Sequence, residues 1–308
     1  MINLLGKRYL FFLLSLIVIL PGLVIMATQG GLPLSIDFKG GSLIELQFKS
    51  GKTPLTADAV KALATLGITD TQVTTTGEDI LIIKAPFLDD AARTGVVSTL
   101  EAISNDKITI RRFDNVGPSI GEEVTSRAGL AILVAALGVI AFITFAFRGI
   151  QNAFRYGLCA IIAMLHDALV VISVASVGGL LFGWQVDSLF LTAFLTVIGF
   201  SVQDKIVVFD RVRENSAIYR KLPFEKLVNH SIIQTLQRSI NTQLMTSEFM
   251  LLALALFGGV TLREFAVILL VGLFSGTYSS IFIAAPILVV WENKEWRNWF
   301  KRGETSAA

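Results

Sequence analysis

The chain has 308 residues, 53% hydrophobic and 16% charged, with a formal net charge of +2 and a mean hydropathy of +0.68. That composition is of a polytopic membrane protein, and the near-neutral balance argues against a nucleic-acid partner. The single cysteine, Cys159, excludes an intrachain disulfide. His166 and His230 lie far apart, and there is no Cys/His cluster, glycine-rich phosphate loop or nucleophile elbow, so no metal, cofactor or enzymatic activity is expected.

Apolar runs long enough to cross a bilayer, which takes roughly 20 residues, are read at residues 9–27, 126–147, 156–177, 188–210, 238–257 and 264–290. The predicted organisation is a polytopic α-helical protein with six transmembrane helices: helix 1 in residues 1–28, an extracytoplasmic α+β domain in 29–125, and helices 2–6 with a cytoplasmic tail in 126–308. A cleaved signal peptide is the competing reading of the first run, after Lys7 and Arg8. Its apolar stretch of about 19 residues is longer than a typical signal core, and Pro21-Gly22 within it predicts a kink.

Basic residues cluster on one side. Lys7 and Arg8 precede the first run, Arg148 and Arg155 join the second and third, and Arg211, Arg213, Arg220, Lys221 and Lys226 join the fourth and fifth. Lys294, Arg297, Lys301 and Arg302 follow the sixth, whereas the opposite short loops hold only Arg263. The positive-inside rule then predicts that both termini are cytoplasmic and that the 29–125 domain is extracytoplasmic.

Within that domain Ile44, Leu46 and Phe48 alternate with Glu45 and Gln47, as in a half-buried strand. Thr56 is placed to cap a helix showing Val60, Leu63 and Leu66, ended by Gly67. Strands follow over residues 70–76 and 79–84 around a Gly77-Glu78 turn, then a helix with Ala92, Val96, Leu100 and Ile103 on one stripe, then a strand over 107–113. That β-α-β-β-α-β order is the ferredoxin-like split pattern, which hosts many functions.

The chemistry is concentrated in charges at membrane depth. A charge there costs at least about 2.5–3.5 kcal/mol on insertion scales, so it marks an ion or proton site by default. Asp204 and Lys205 interrupt the fourth run. Val208 and Arg211 follow Asp204 at i+4 and i+7, putting the carboxylate roughly 10 Å inside Arg211. Two readings stand: a carboxylate poised to take and release a proton, or a static ion pair locking two helices. Arg238, Asn241, Thr242 and Met245 form an i, i+3, i+4, i+7 stripe entering the fifth run, continued by Glu248. Arg238 is the natural partner for Asp204, unless it snorkels to the headgroups. His166 and Asp167 lie roughly 16 Å along the helix from Arg155. They serve either as a proton relay or as structural interhelical hydrogen-bonding groups. Gly272 and Gly276 form a G-x-x-x-G that predicts close helix packing.

Further motifs add to these. Asp37-Phe38-Lys39-Gly40-Gly41 follows the first run, Val116-Gly117-Pro118-Ser119 precedes the second, and His166-Asp167 lies in the third. Gly199-Phe200-Ser201-Val202-Gln203-Asp204 is followed by Val207-Val208-Phe209-Asp210-Arg211-Val212-Arg213-Glu214-Asn215. Arg238-Ser239-Ile240-Asn241-Thr242 and Gly276-Thr277-Tyr278-Ser279-Ser280-Ile281-Phe282 complete the set. In order and over nearly the whole chain, these resemble SecF-type members of the SecD/SecF protein-export family, within the resistance-nodulation-division superfamily.

The resemblance implies a non-enzymatic half-transporter in the bacterial inner membrane. With SecD it would form a twelve-span bundle that uses a proton, or sodium, gradient to help a preprotein leave the SecYEG channel. It also implies that Asp204 is the ion-coupling carboxylate, Arg238 its intramembrane partner, and Asp37, Gly40 and Gly41 the junction between the first span and the domain. Gly40-Gly41 permits positive φ or close backbone approach there. His166, Asp167, Asn241 and Thr242 stand as candidate relay or modulating residues.

Two positions depart from the family pattern: Lys205, where a small hydroxyl residue is usual, and Glu248, in a usually apolar stretch. If Arg211 and Arg238 lie level, helical rise brings Lys205 and Glu248 within about 6 Å in depth, so the two are expected to compensate each other. An Asp204–Arg238 pair and a Lys205–Glu248 pair are hard to satisfy together. A small-molecule or lipid exporter subunit of the same superfamily is the alternative function, and a structural partner of SecD without coupling is a third.

Overall fold

The computed structural model describes residues 3–148, 153–243, 249–258 and 260–295. Contacts divide the chain into a bundle unit (Met1–Gly31, Ile132–Leu180 and Leu189–Ala308) and a smaller unit (Leu32–Ala131 and Leu181–Ser188).

The smaller unit begins with a short helix α2, Ile36–Lys39, after α1 of the bundle (Arg8–Thr28). It continues through β1 (Gly41–Phe48), α3 (Thr56–Thr65), β2 (Gln72–Thr76), β3 (Ile80–Ala85), α4 (Asp90–Ser104) and β4 (Ile108–Val116). The strands form one sheet in the order β2-β3-β1-β4, every neighbouring pair antiparallel. The alternation in β1 does what the pattern predicts: Ile44, Leu46 and Phe48 lie in a core with Leu81, Ile83, Leu63, Val96 and Leu100. A register shift between Glu45 and Leu46 in the β1–β4 ladder leaves Arg111 as the extra residue of a bulge.

Local details differ from the sequence reading. Leu55, not Thr56, is the N-cap of α3, and its carbonyl accepts from the Asp58 and Ala59 amides. The stripe that α3 buries is Ala59, Ala62 and Leu63, so Leu66 at the helix end is left exposed. In α4, Asp89 caps through its side chain, accepting from the Ala92 amide at 2.7 Å. Val96 and Leu100 are buried there, while Ile103 is exposed.

The bundle comprises α1, the second half of α5 (Pro118–Ala146), then α6 (Ala153–Phe182), α7 (Ser188–Ile218), α8 (Phe224–Gln243), α9 (Phe249–Phe257) and α10 (Val260–Ser279). A π-helical turn, Ser280–Ala284, leads into α11, Ala285–Glu292. Among the described residues, five helical segments are long and apolar enough to span a bilayer: Leu5–Thr28, Pro118–Ala146, Ala153–Phe182, Ser188–Ile218 and Leu262–Glu292. The run predicted at 238–257 is divided between the last turns of α8 and the nine-residue α9, and residues 244–248 fall outside the described residues.

Pro21 lies inside α1, which continues through it to Thr28, and α6 meets the helix at the next residue. Ser173 Oγ accepts from the Gly22 amide at 3.2 Å and donates to the Val18 carbonyl at 2.8 Å, joining the two helices just beyond the proline. A Cβ on Gly22 would sit 2.3 Å from Ser173 Cα, so glycine is what allows that approach. Hydroxyls of neighbouring helices commonly bond backbone groups near a proline in lipid.

Candidate functional site

Three helices of the bundle build a buried polar cluster. From α7 come Ser201 and Lys205, four residues apart and therefore on one face. From α10 come Ser275 and Ser279, with the same spacing, and from α6 comes Asp167. The small residues of α10 allow these helices to close up. A Cβ on Gly272 would lie 2.1 Å from Val197 Cγ2, and one on Gly276 would lie 3.3 Å from Ser201 Cα. Just past Ser279, the π-helical turn stands where Pro286 supplies no amide to the Phe282 carbonyl.

Asp167 is 1% exposed and Lys205 is 0% exposed. Lys205 Nζ donates to Asp167 Oδ2 at 2.7 Å, to the Ser201 carbonyl at 3.0 Å and to Ser201 Oγ. Asp167 Oδ2 also accepts from Ser201 Oγ at 2.7 Å and from Ser279 Oγ at 2.6 Å. Its Oδ1 accepts from Ser275 Oγ at 2.6 Å and contacts His166 Nδ1 at 3.0 Å. His166 stacks on Tyr278, whose hydroxyl donates to the Phe11 carbonyl of α1. Each charge thus has its partner and its remaining hydrogen bonds inside the protein, the condition under which a buried ion pair is tolerated.

The structure pairs Lys205 with Asp167; the expected partner Glu248 lies outside the described residues, as does Met245. An i+1 neighbour on a helix points about 100° away, so Asp204, though adjacent in sequence and itself buried, does not share that face of α7. The expected Asp204–Arg238 pair is not formed. Arg238, Asn241 and Thr242 are exposed on α8, and Arg238 makes no ion pair among the described residues. Ser201 and Ser275 escaped the sequence reading. Their signal was the i−4 spacing of Ser201 from Lys205 and the i, i+4 spacing of Ser275 and Ser279.

The junction residues sit in the smaller unit. Asp37 Oδ2 accepts from the Ser188 amide at 2.9 Å and from Ser188 Oγ at 2.7 Å. Gly40 has φ +76° and Gly41 φ +136°. Any Cβ would meet Pro118 Cα at 2.9 Å in the first case and the Ala85 carbonyl oxygen at 2.7 Å in the second. Both positive φ and close approach demand glycine here. Thr125 Oγ1 of α5 donates to the Phe38 carbonyl at 2.9 Å, tying the start of that helix to the motif.

A membrane protein with a small antiparallel domain and a buried carboxylate–ammonium cluster among its apolar helices is the class defined by these observations. Residues 24–52 match the SecD/SecF GG motif, and residues 96–294 match the C-terminal family model of the protein export membrane proteins SecD/SecF. The chain belongs to the SecD/SecF family. It is 68% identical over 308 residues, covering all of both chains, to protein translocase subunit SecF of Anaerolinea thermophila. It is 44% identical to that of Thermobaculum terrenum, covering 100% of this chain and 99% of the other. Among solved structures it resembles SecDF, a translocon-associated membrane protein from Thermus thermophilus, with a TM-score of 0.82 and 32% identity. That match covers 95% of this chain and 39% of the other, so the chain spans well under half of that protein.

Proposed function

We propose that this chain is an accessory subunit of the Sec translocase that assembles with SecD in the inner membrane and uses an ion gradient to promote late preprotein translocation and release at SecYEG. The observation that carries the reading is the set of ionisable side chains, Asp167, Asp204 and Lys205, buried in helices that otherwise suit lipid. Such groups are expensive at membrane depth and mark ion pathways. The family membership supports the export role, and the fused SecDF of Thermus thermophilus supports SecD as the partner.

In this reading Asp204 is the coupling carboxylate, and Asp167–Lys205 is a fixed pair beside it. Arg238 reaches Asp204 only in another arrangement of α7 and α8. Residues 238–257 complete a sixth span, and both termini lie in the cytoplasm with the α+β unit outside. The broad apolar exposure of α1 and α5, including Leu13, Ile17, Leu130, Leu133 and Leu137, suits lipid and a partner subunit.

Inverted membrane vesicles carrying the subunit with SecD test this. With Asp204→Asn, completion of preprotein translocation is expected to lose its dependence on the proton-motive force while the ATP-driven early phase persists. Full retention of that dependence would sink the coupling role. Co-purification with a drug or lipid pump in place of SecD would favour the exporter reading.

A further inference from the structure

We propose that the Lys205 ammonium occupies a monovalent-cation site built by this chain, and so makes the chain a proton-coupled subunit in which that site is closed to a metal cation such as sodium. The choice of coupling ion rests on the functional reading above, whereas the occupancy stands by itself.

The surroundings of Lys205 Nζ are those of a hard cation: a carboxylate oxygen, Asp167 Oδ2, at 2.7 Å, a backbone carbonyl, Ser201 O, at 3.0 Å, and the Ser201 hydroxyl. A further hydroxyl, Ser279 Oγ, lies against the same carboxylate oxygen at 2.6 Å. Oxygen-only shells of carboxylate, carbonyl and hydroxyl suit alkali and alkaline-earth ions, and carbonyls in membrane transporters hold sodium this way. An ammonium is a compact point charge with three donors, and here three acceptors receive them.

The side chain is fully buried, so the charge has no route to solvent without leaving the shell. Because it is covalently attached, it competes with free ions at the effective concentration of a tethered ligand. Its charge also cancels that of Asp167, the group that would otherwise draw a metal ion in. Asp204, buried on the same helix, can accept a proton without any coordination shell.

Thermal unfolding of the full-length chain in detergent, at one ionic strength in sodium chloride or choline chloride, tests the occupancy. Wild type should unfold at the same temperature in both. Lys205→Ala should unfold lower in choline and recover by at least about 2 °C, saturably, as sodium replaces choline. Lys205→Ser, which leaves a hydroxyl in the pocket, should behave likewise, and adding Asp167→Asn to either variant should abolish the sodium response. A folded Lys205→Ala or Lys205→Ser that ignores sodium overturns the proposal. So does a wild-type chain stabilised by sodium in a way that Asp167→Asn removes, and that arm remains decisive if neither lysine variant folds. None of these readouts measures export, so a failure here is separable from a failure of Asp204 coupling.

Discussion

At the residue scale the cluster around Asp167 shows how an ammonium and a carboxylate coexist out of water. The carboxylate draws hydrogens from Lys205, Ser201, Ser275 and Ser279, and removing one charge strands the other. Asp167→Asn alone is therefore expected to cost about 3–5 kcal/mol, as for other broken buried pairs, whereas Asp167→Leu with Lys205→Met should cost far less. Denaturant unfolding in detergent distinguishes the two, and equal losses would contradict this view of the pair. The charged residues themselves were legible in the sequence, because an Asp, a Lys and a His-Asp pair stand out in apolar runs. Their pairing was not. Which carboxylate meets Lys205 depends on the rotation and depth of α6 against α7, and neither follows from the spacing within one helix.

A second residue-scale case lies outside the spans, at Glu295. Burial works against its charge, but bonds from Tyr9, Asn293 and Arg8 and the Arg8 charge outweigh it and hold its carboxyl below the ordinary value. A carboxyl depressed in the folded state adds stability above its unfolded pKa, which is lost as pH falls through the folded one. Unfolding temperature against pH should therefore fall less steeply in acid for Glu295→Gln than for wild type. Parallel curves would show that Glu295 contributes nothing to acid sensitivity.

At the element scale, glycines and serines set how closely the helices approach. Gly272 lies against Val197, where even a methyl group collides, so Gly272→Leu should separate α10 from α7 and lower the yield of folded protein sharply. Gly129, with nothing near its Cβ position, should accept alanine with little change. Size-exclusion profiles of the two variants in detergent decide this, and a well-folded Gly272→Leu would refute the packing. Ser173→Ala, which leaves the Gly22 amide and Val18 carbonyl unbridged, should cost about 0.6–1.7 kcal/mol, the range of interhelical hydrogen bonds in membranes. The G-x-x-x-G was readable as a packing face, but the contact partner on α7 was not. The Ser173 bridge to α1 was likewise invisible, since it joins residues 151 positions apart.

At the scale of the whole molecule, the α+β unit was the most legible part. Its strands and helices are short amphipathic units whose alternation is written locally, and the sheet β2-β3-β1-β4 follows from the β-α-β-β-α-β order. Differences there are confined to element ends and to the buried stripe of α3: Leu55 and not Thr56 caps that helix, and β4 runs on to Val116. In the bundle, apolar length located the helices. It did not determine which polar faces converge, because lipid-facing and partner-facing surfaces are both apolar. Arg238 illustrates the limit: the cost of an unpaired buried charge points to it as the partner of Asp204, yet its exposed position on α8 leaves that pairing to another arrangement of the helices.

The most direct test of the account is proton movement itself, measured with a pH-sensitive dye inside proteoliposomes that contain the subunit, SecD and SecYEG with a preprotein engaged in the channel. Under an imposed potential the wild-type assembly should pass protons, and Asp204→Asn should reduce that flux to the level of liposomes without the subunit. An Asp204→Asn assembly that conducts protons as wild type does would contradict the claim that Asp204 is the coupling carboxylate.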